Sequence, residues 1–138
     1  VTNGIGDDIT RDEAALLIGG LSDDIAFVWA LIHLRLRRND GTDGVPTDEL
    51  VDAAFAHFDR LLERGLIRIG RVVYADANQP AGTVAPVKHV SEPVDEVRRR
   101  VMAACARAAA GQSDWEWACW IVNTPAGDNV ARHVLERP

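Results

Sequence analysis

Three tryptophans, Trp115, Trp117 and Trp120, fall within six positions in the stretch SDWEWACWIVNTPAGD, residues 113–128. Rings at that density can stack on a ligand, anchor a protein interface or fill a core. Alternation along an extended chain puts Trp115, Trp117, Cys119 and Ile121 on one face, and Ala118, Trp120 and Val122 with Glu116 on the other. A strand apolar on both faces is either covered on both sides or half exposed as a contact surface. Core packing against neighbouring helices is the first expectation. If one ring reaches solvent, Trp115 at the strand's entrance is the expected one, marking an interface with protein. The flanking Asp114 and Glu116 disfavour a polyanion stacked on these rings.

Other reactive residue types lack the settings that chemistry requires. The serines Ser22, Ser91 and Ser113 lie in no nucleophile turn. Cys105 and Cys119 sit among apolar residues, as small buried hydrophobes do, and two cysteines imply no disulfide framework. His33, His57, His89 and His133 lack metal-ligand spacing. His57 lies at the margin of an apolar helix face, where a hydrogen-bonded structural histidine is expected. No Gly-rich phosphate loop follows a strand. The segment NDGTDGVPTDEL superficially resembles a calcium loop. Placing Gly44 at its sixth position, however, puts Gly41 at the third and Leu50 at the twelfth, with Pro46 inside. A helix stop, a turn and a helix start explain it better. No catalytic, cofactor-binding or metal-binding residue is assigned, and the chain is expected to be non-enzymatic.

Charge is unevenly spread over the 138 residues, which carry a net −6. Residues 1–59 hold twelve acids against four arginines, a net −8, whereas residues 60–138 come to +2. All but one of the fifteen basic residues are arginine. With the many alanines, that bias fits the codon usage of a GC-rich genome rather than phosphate-binding design. The longest apolar run, residues 25–32, is far short of the ~20 residues that span a bilayer. The N-terminus lacks the pattern of a secretory signal, and a cytoplasmic, reduced protein without membrane contact is expected.

The elements that must position these residues can be read in order. Thr10 and Glu13 fit a capping box for a first helix, which Gly19-Gly20 ends. Ser22 is the expected cap of a second, central buried helix over residues 25–34, apolar nearly all round, with Arg35, Arg37 and Arg38 at its C-terminus. Pro46-Thr47-Asp48-Glu49 opens a third helix to about Arg64, carrying Leu50, Val51, Ala54, Phe55, Phe58, Leu61 and Leu62 on one side. Gly65 closes it with positive φ. LIRIGRVVYA then reads as one strand, or as two bent at Gly70. Residues 76–93 read as a loop with a short edge strand near 84–90. A fourth helix covers about 94–110, followed by the tryptophan strand at 115–123. Thr124-Pro125 starts a final short helix. One α+β domain, 1–138, results, in three parts: 10–75 for the helical core and first strand, 76–113 for a loop and inserted helix, and 114–138 for the tryptophan strand and terminal helix.

DELVDAAFAHFDRLLERGLIRIGR resembles the third helix and first wing strand of winged-helix proteins, and WIVNTPAGDNVAR resembles the second wing strand and exit turn of that superfamily. The resemblance covers residues 10–75 and 117–136. It implies a three-helix core with a small antiparallel sheet and additional C-terminal helices. It also implies a helical insertion in the wing, because about forty residues separate Arg71 from Trp117.

Winged helices commonly lay the third helix in the DNA major groove. Here the outer face of that helix carries Asp48, Glu49, Asp52, Asp59 and Glu63 against Arg60 and Arg64, which repels a polyanion. The expected function is therefore protein contact, regulatory or partner-neutralising, with another protein or a second copy. Trp115, Asp48, Asp52, Asp59 and Glu63 are its candidate contacts, and the acidic half suits a basic partner. The alternative is a DNA-binding regulator using Arg60, Arg64, Arg68 and Arg71 with Arg98, Arg99 and Arg100.

Overall fold

The Thr10 hydroxyl accepts from the Glu13 N–H and the Glu13 carboxylate accepts from the Thr10 N–H, both at 3.0 Å. This reciprocal pair fixes the start of the first helix as the spacing requires. The computed structural model describes residues 9–21, 24–38, 44–74, 87–109, 111 and 114–136. Among them are five α-helices: α1 (Arg11–Gly19), α2 (Phe27–His33), α3 (Asp48–Glu63), α4 (Val94–Ala109) and α5 (Pro125–Leu135). Four strands, β1 (Ile25–Ala26), β2 (Ile67–Tyr74), β3 (Val87–Ser91) and β4 (Trp120–Asn123), form one sheet in the order β1-β4-β2-β3. Every pairing is antiparallel. The fold class is α+β, as expected.

The helices form where the apolar spacing and caps place them. The Thr47 hydroxyl accepts from the Leu50 N–H to start α3. The Thr124 hydroxyl accepts from the Gly127 N–H at 3.1 Å to start α5, and itself donates to the Gly65 carbonyl at 2.6 Å. Both α2 and α3 end in the same hydrogen-bond pattern. Leu36 N–H reaches Leu31 O and Leu66 N–H reaches Leu61 O, around a left-handed residue that is Arg35 (φ 60°) in α2 and Gly65 (φ 70°) in α3. Side chains from α1 to α4 and the inner sheet face fill one core. Phe27, Phe55 and Phe58 pack ring to ring at 5.0–6.4 Å, with Leu16, Leu31 and Ile121 fully buried around them. No helix among the described residues is long and apolar enough to cross a membrane.

β2 runs unbroken through Gly70, which pairs with Trp120 on one side and Ser91 on the other. A Cβ at Gly70 would lie 1.9 Å from the Val90 carbonyl oxygen, so a glycine is what admits β3 there. The expected edge strand appears as β3, at residues 87–91.

Two expectations are corrected. Ser22 lies outside the described residues, and the helix expected over 25–34 begins only at Phe27. Ile25 and Ala26 are instead extended and pair with Ile121 and Trp120. The Phe27 N–H, the first of α2, is taken by Cys119 O at 3.0 Å, so pairing with a distant strand outweighs local helix propensity. Nor is α2 buried all round, since Trp29 is exposed. The second correction concerns the tryptophan stretch. Trp115–Trp117 form a turn of 3₁₀ helix and only residues 120–123 are strand. Hydrogen bonds from Trp117 N–H to Asp114 O and from Ala118 N–H to Trp115 O close that turn and break the expected alternation of faces.

Candidate functional site

The turn separates the tryptophans. Trp115 is only 4% exposed, set edge-on to Phe27 at 6.3 Å, with the Arg37 guanidinium 4.9 Å above its ring. The expectation that Trp115 would be the exposed contact is therefore overturned: the 3₁₀ turn points its ring into the core. Trp117 emerges on the other side, 56% exposed, and stacks on Trp120 with centroids 5.8 Å apart and planes 30° from parallel. Trp120 and Val122 alternate with the buried Ile121 and Asn123, so they lie on the outer face of the sheet. The register sets Gly70 beside Trp120 and Arg68 beside Val122 on that face, with His89 and Val72 paired further across.

The segment behind the stacked rings is tied down at three successive carbonyls. Ala118 O accepts from Arg100 Nε at 2.8 Å, Cys119 O from the Phe27 N–H at 3.0 Å, and Trp120 O from His89 Nε2 at 3.2 Å. These donors come from α4, α2 and β3, so three elements hold one stretch of three residues. With Nε2 donating, His89 Nδ1 is a buried acceptor without a partner. The Arg100 fork also grips Glu92 at 2.9 and 3.0 Å. Neither Arg100 nor His89 had a role in the protein-contact reading, because their contacts are long-range and leave no trace in sequence spacing.

The acidic residues of α3 are where they were expected. Asp48, Asp52, Asp59 and Glu63 are exposed, and Asp52 pairs with Arg98 of α4. Several of the basic residues are engaged in ion pairs within the molecule. Arg60 Nε bonds the buried Glu13 carboxylate at 3.2 Å, Arg71 lies 3.8 Å from Glu92, and Arg100 is committed to Glu92. Strand alternation sends Arg68 and Arg71 to opposite faces of the sheet. Arg64, just past the end of α3, and Arg99 on α4 are exposed.

His57 is the hydrogen-bonded structural histidine expected from its position, with Nδ1 2.5 Å from Glu13 Oε2. His33 packs over Gly19, and its burial lowers its pKa. Both cysteines are free and buried, and burial raises both thiols, which leaves them poor nucleophiles at neutral pH. Ser22, Ser113 and residues 39–43 of the calcium-like loop lie outside the described residues, and Ser91 is exposed on β3. Among the described residues no cluster of His, Cys, Asp and Glu has metal-site geometry. Two clefts, about 200 Å³ beside Leu36, Pro46 and Leu50 and about 390 Å³ beside Asp95, Arg98 and Met102, are lined by no tryptophan. Comparison with protein-family models, with curated proteins and with solved structures gives no match.

Proposed function

We propose that this chain is a winged-helix-type domain that works by contact with another protein, through the ridge formed by Trp117 and Trp120. The exposed Trp117 ring, stacked on Trp120, is the observation that carries the reading. A tryptophan left more than half exposed contributes little to folding, whereas a rigid, amphipathic ring is the commonest anchor of protein interfaces. The winged-helix part of the reading is supported by element order. A two-residue strand lies between α1 and α2 and pairs with β4, while β3 and α4 enter the chain between β2 and β4. The acidic face of α3 favours a basic partner surface and a regulatory or neutralising role. The same face, together with arginines 60, 98 and 100 engaged within the molecule, weighs against a groove-reading helix.

The test is a photo-crosslinking residue at position 68, beside Val122 on the ridge face, introduced in the cells that make the protein. Position 129, exposed on α5, serves as control. The expected result is one defined protein adduct, to a partner or to a second copy, at 68 and not at 129, and lost on Trp117→Ala. A nucleic-acid adduct at 68, or micromolar affinity for random duplex at low salt that vanishes on replacing Arg98, Arg99 and Arg100, would overturn the reading in favour of DNA binding.

A further inference from the structure

We infer that Arg100 is the positioning residue of the tryptophan ridge, an inference that rests on the protein-contact reading of that ridge. The two stacked rings belong to different elements: Trp117 ends a 3₁₀ turn and Trp120 begins β4, with only Ala118 and Cys119 between them. The backbone of those two residues therefore sets the relative placement of the two Cα positions from which the rings project. One guanidinium addresses both sides of the link. Its Nε donates to Ala118 O at 2.8 Å, next to Trp117, and its Nη2 points to Gly70 O at 3.5 Å, on the residue paired with Trp120.

Glu92 aims that guanidinium. Its two carboxylate oxygens take Nη1 and Nη2 at 3.0 and 2.9 Å in a parallel fork, which fixes the plane of the group. Glu92 is itself held at the sheet, because its N–H donates to Ile69 O at 3.0 Å. Only arginine can donate in these three directions from one rigid plane, and a lysine ammonium reaches one or two of them without fixing an angle. Val97, Val101, Ala104 and Cys105 form the buried face of α4, and Arg100 lies half-buried at its margin. Arg100 thus presets the ridge in its binding geometry, which removes an ordering cost from association.

Two stacked indoles couple their strong ultraviolet transitions and give a paired positive and negative circular-dichroism band, a readout of ring geometry that a merely structural role would not move. Trp117→Ala supplies the zero of that signal. Arg100→Met and Arg100→Lys are each expected to lose at least half of its amplitude while keeping the helical signal and a cooperative melt. Crosslink yield at position 68 is expected to fall roughly tenfold in both, the effect of unfixing a hot-spot ring. A folded Arg100→Met protein with an unchanged band overturns the inference, and if that variant does not fold, Arg100→Lys is held to the same criterion. Should the band respond while the unmutated ridge crosslinks to no protein, Arg100 still positions the rings and the contact reading fails. Should crosslinking stand while the band is indifferent to Arg100, the positioning role fails alone.

Discussion

The fully buried Glu13 carboxylate lies 2.5 Å from His57 Nδ1, joining the first turn of α1 to the middle of α3. Arg60 Nε, one turn further along α3, donates to the same oxygen at 3.2 Å, and the other oxygen caps α1 at Thr10. Burial alone raises the Glu13 carboxyl. The hydrogen bonds from His57, Thr10 and Arg60, with the Arg60 charge, outweigh it and hold the group below its ordinary value. A carboxyl whose folded pKa is depressed contributes stability above its unfolded value, near 4.5, and loses it as pH falls through the folded value. Glu13→Gln is therefore expected to cost about 2–3 kcal/mol at pH 7. Urea denaturation at pH 7 and pH 3 checks this: the gap between variant and parent narrows in acid, and a gap independent of pH would refute it.

Arg35 occupies the left-handed position at the end of α2 that Gly65 fills at the end of α3. A side chain there costs ~1 kcal/mol, and the 3.8 Å contact of this well-exposed arginine with Asp12 returns little. Arg35→Gly is expected to raise the urea midpoint by the equivalent of about 1 kcal/mol. A lowered midpoint would mean that the Asp12 contact matters more than the backbone.

Gly70→Ala would drive a methyl into the Val90 carbonyl, a backbone atom that cannot step aside without unpairing β3. A loss of roughly 3 kcal/mol is expected, at the top of the range for overpacking. Gly44→Ala, which meets open space, should stay within ~0.5 kcal/mol of the parent. Thermal or urea melts of the pair decide the matter, and equal stabilities would contradict the geometry.

Trp115 and Trp117, two residues apart, are expected to respond oppositely. Trp115→Ala removes a buried ring from against Phe27 and should cost about 3–5 kcal/mol. Trp117→Ala should cost less than ~1 kcal/mol yet abolish the protein adduct at position 68. Comparing melts with crosslink yields separates the two roles, and a destabilised Trp117→Ala protein would recast the ridge as part of the core.

Local signals were readable where one element decides the outcome. The caps at Thr10, Thr47 and Thr124, the apolar faces of α3 and α4, Gly65 and the structural role of His57 all follow from nearby spacing. What the sequence hid depends on distant partners. Ile25 and Ala26 look helical until β4 arrives to pair with them, and the alternation at 115–120 holds only for a chain that stays extended. The 3₁₀ turn reversed the expected exposures, burying the ring of Trp115 and leaving that of Trp117 at the surface. The arginines 60, 98 and 100 read as available cations because Glu13, Asp52 and Glu92 are remote in sequence or around a turn.

The strand order β1-β4-β2-β3 has a consequence for the path of folding. β4 is the hydrogen-bonded neighbour of both β1 and β2, so residue 25 waits for residue 121 before the sheet can close. Closing so long a loop is entropically slow, and the contacts that reward it form only afterwards. During synthesis, a chain that had reached residue 114 would carry its helices with the inner edges of β1 and β2 unpaired and the flank of α1 that α5 covers laid bare. The nascent chain therefore has an interval of exposure to aggregation that ends when the same short strand that bears Trp120 is inserted.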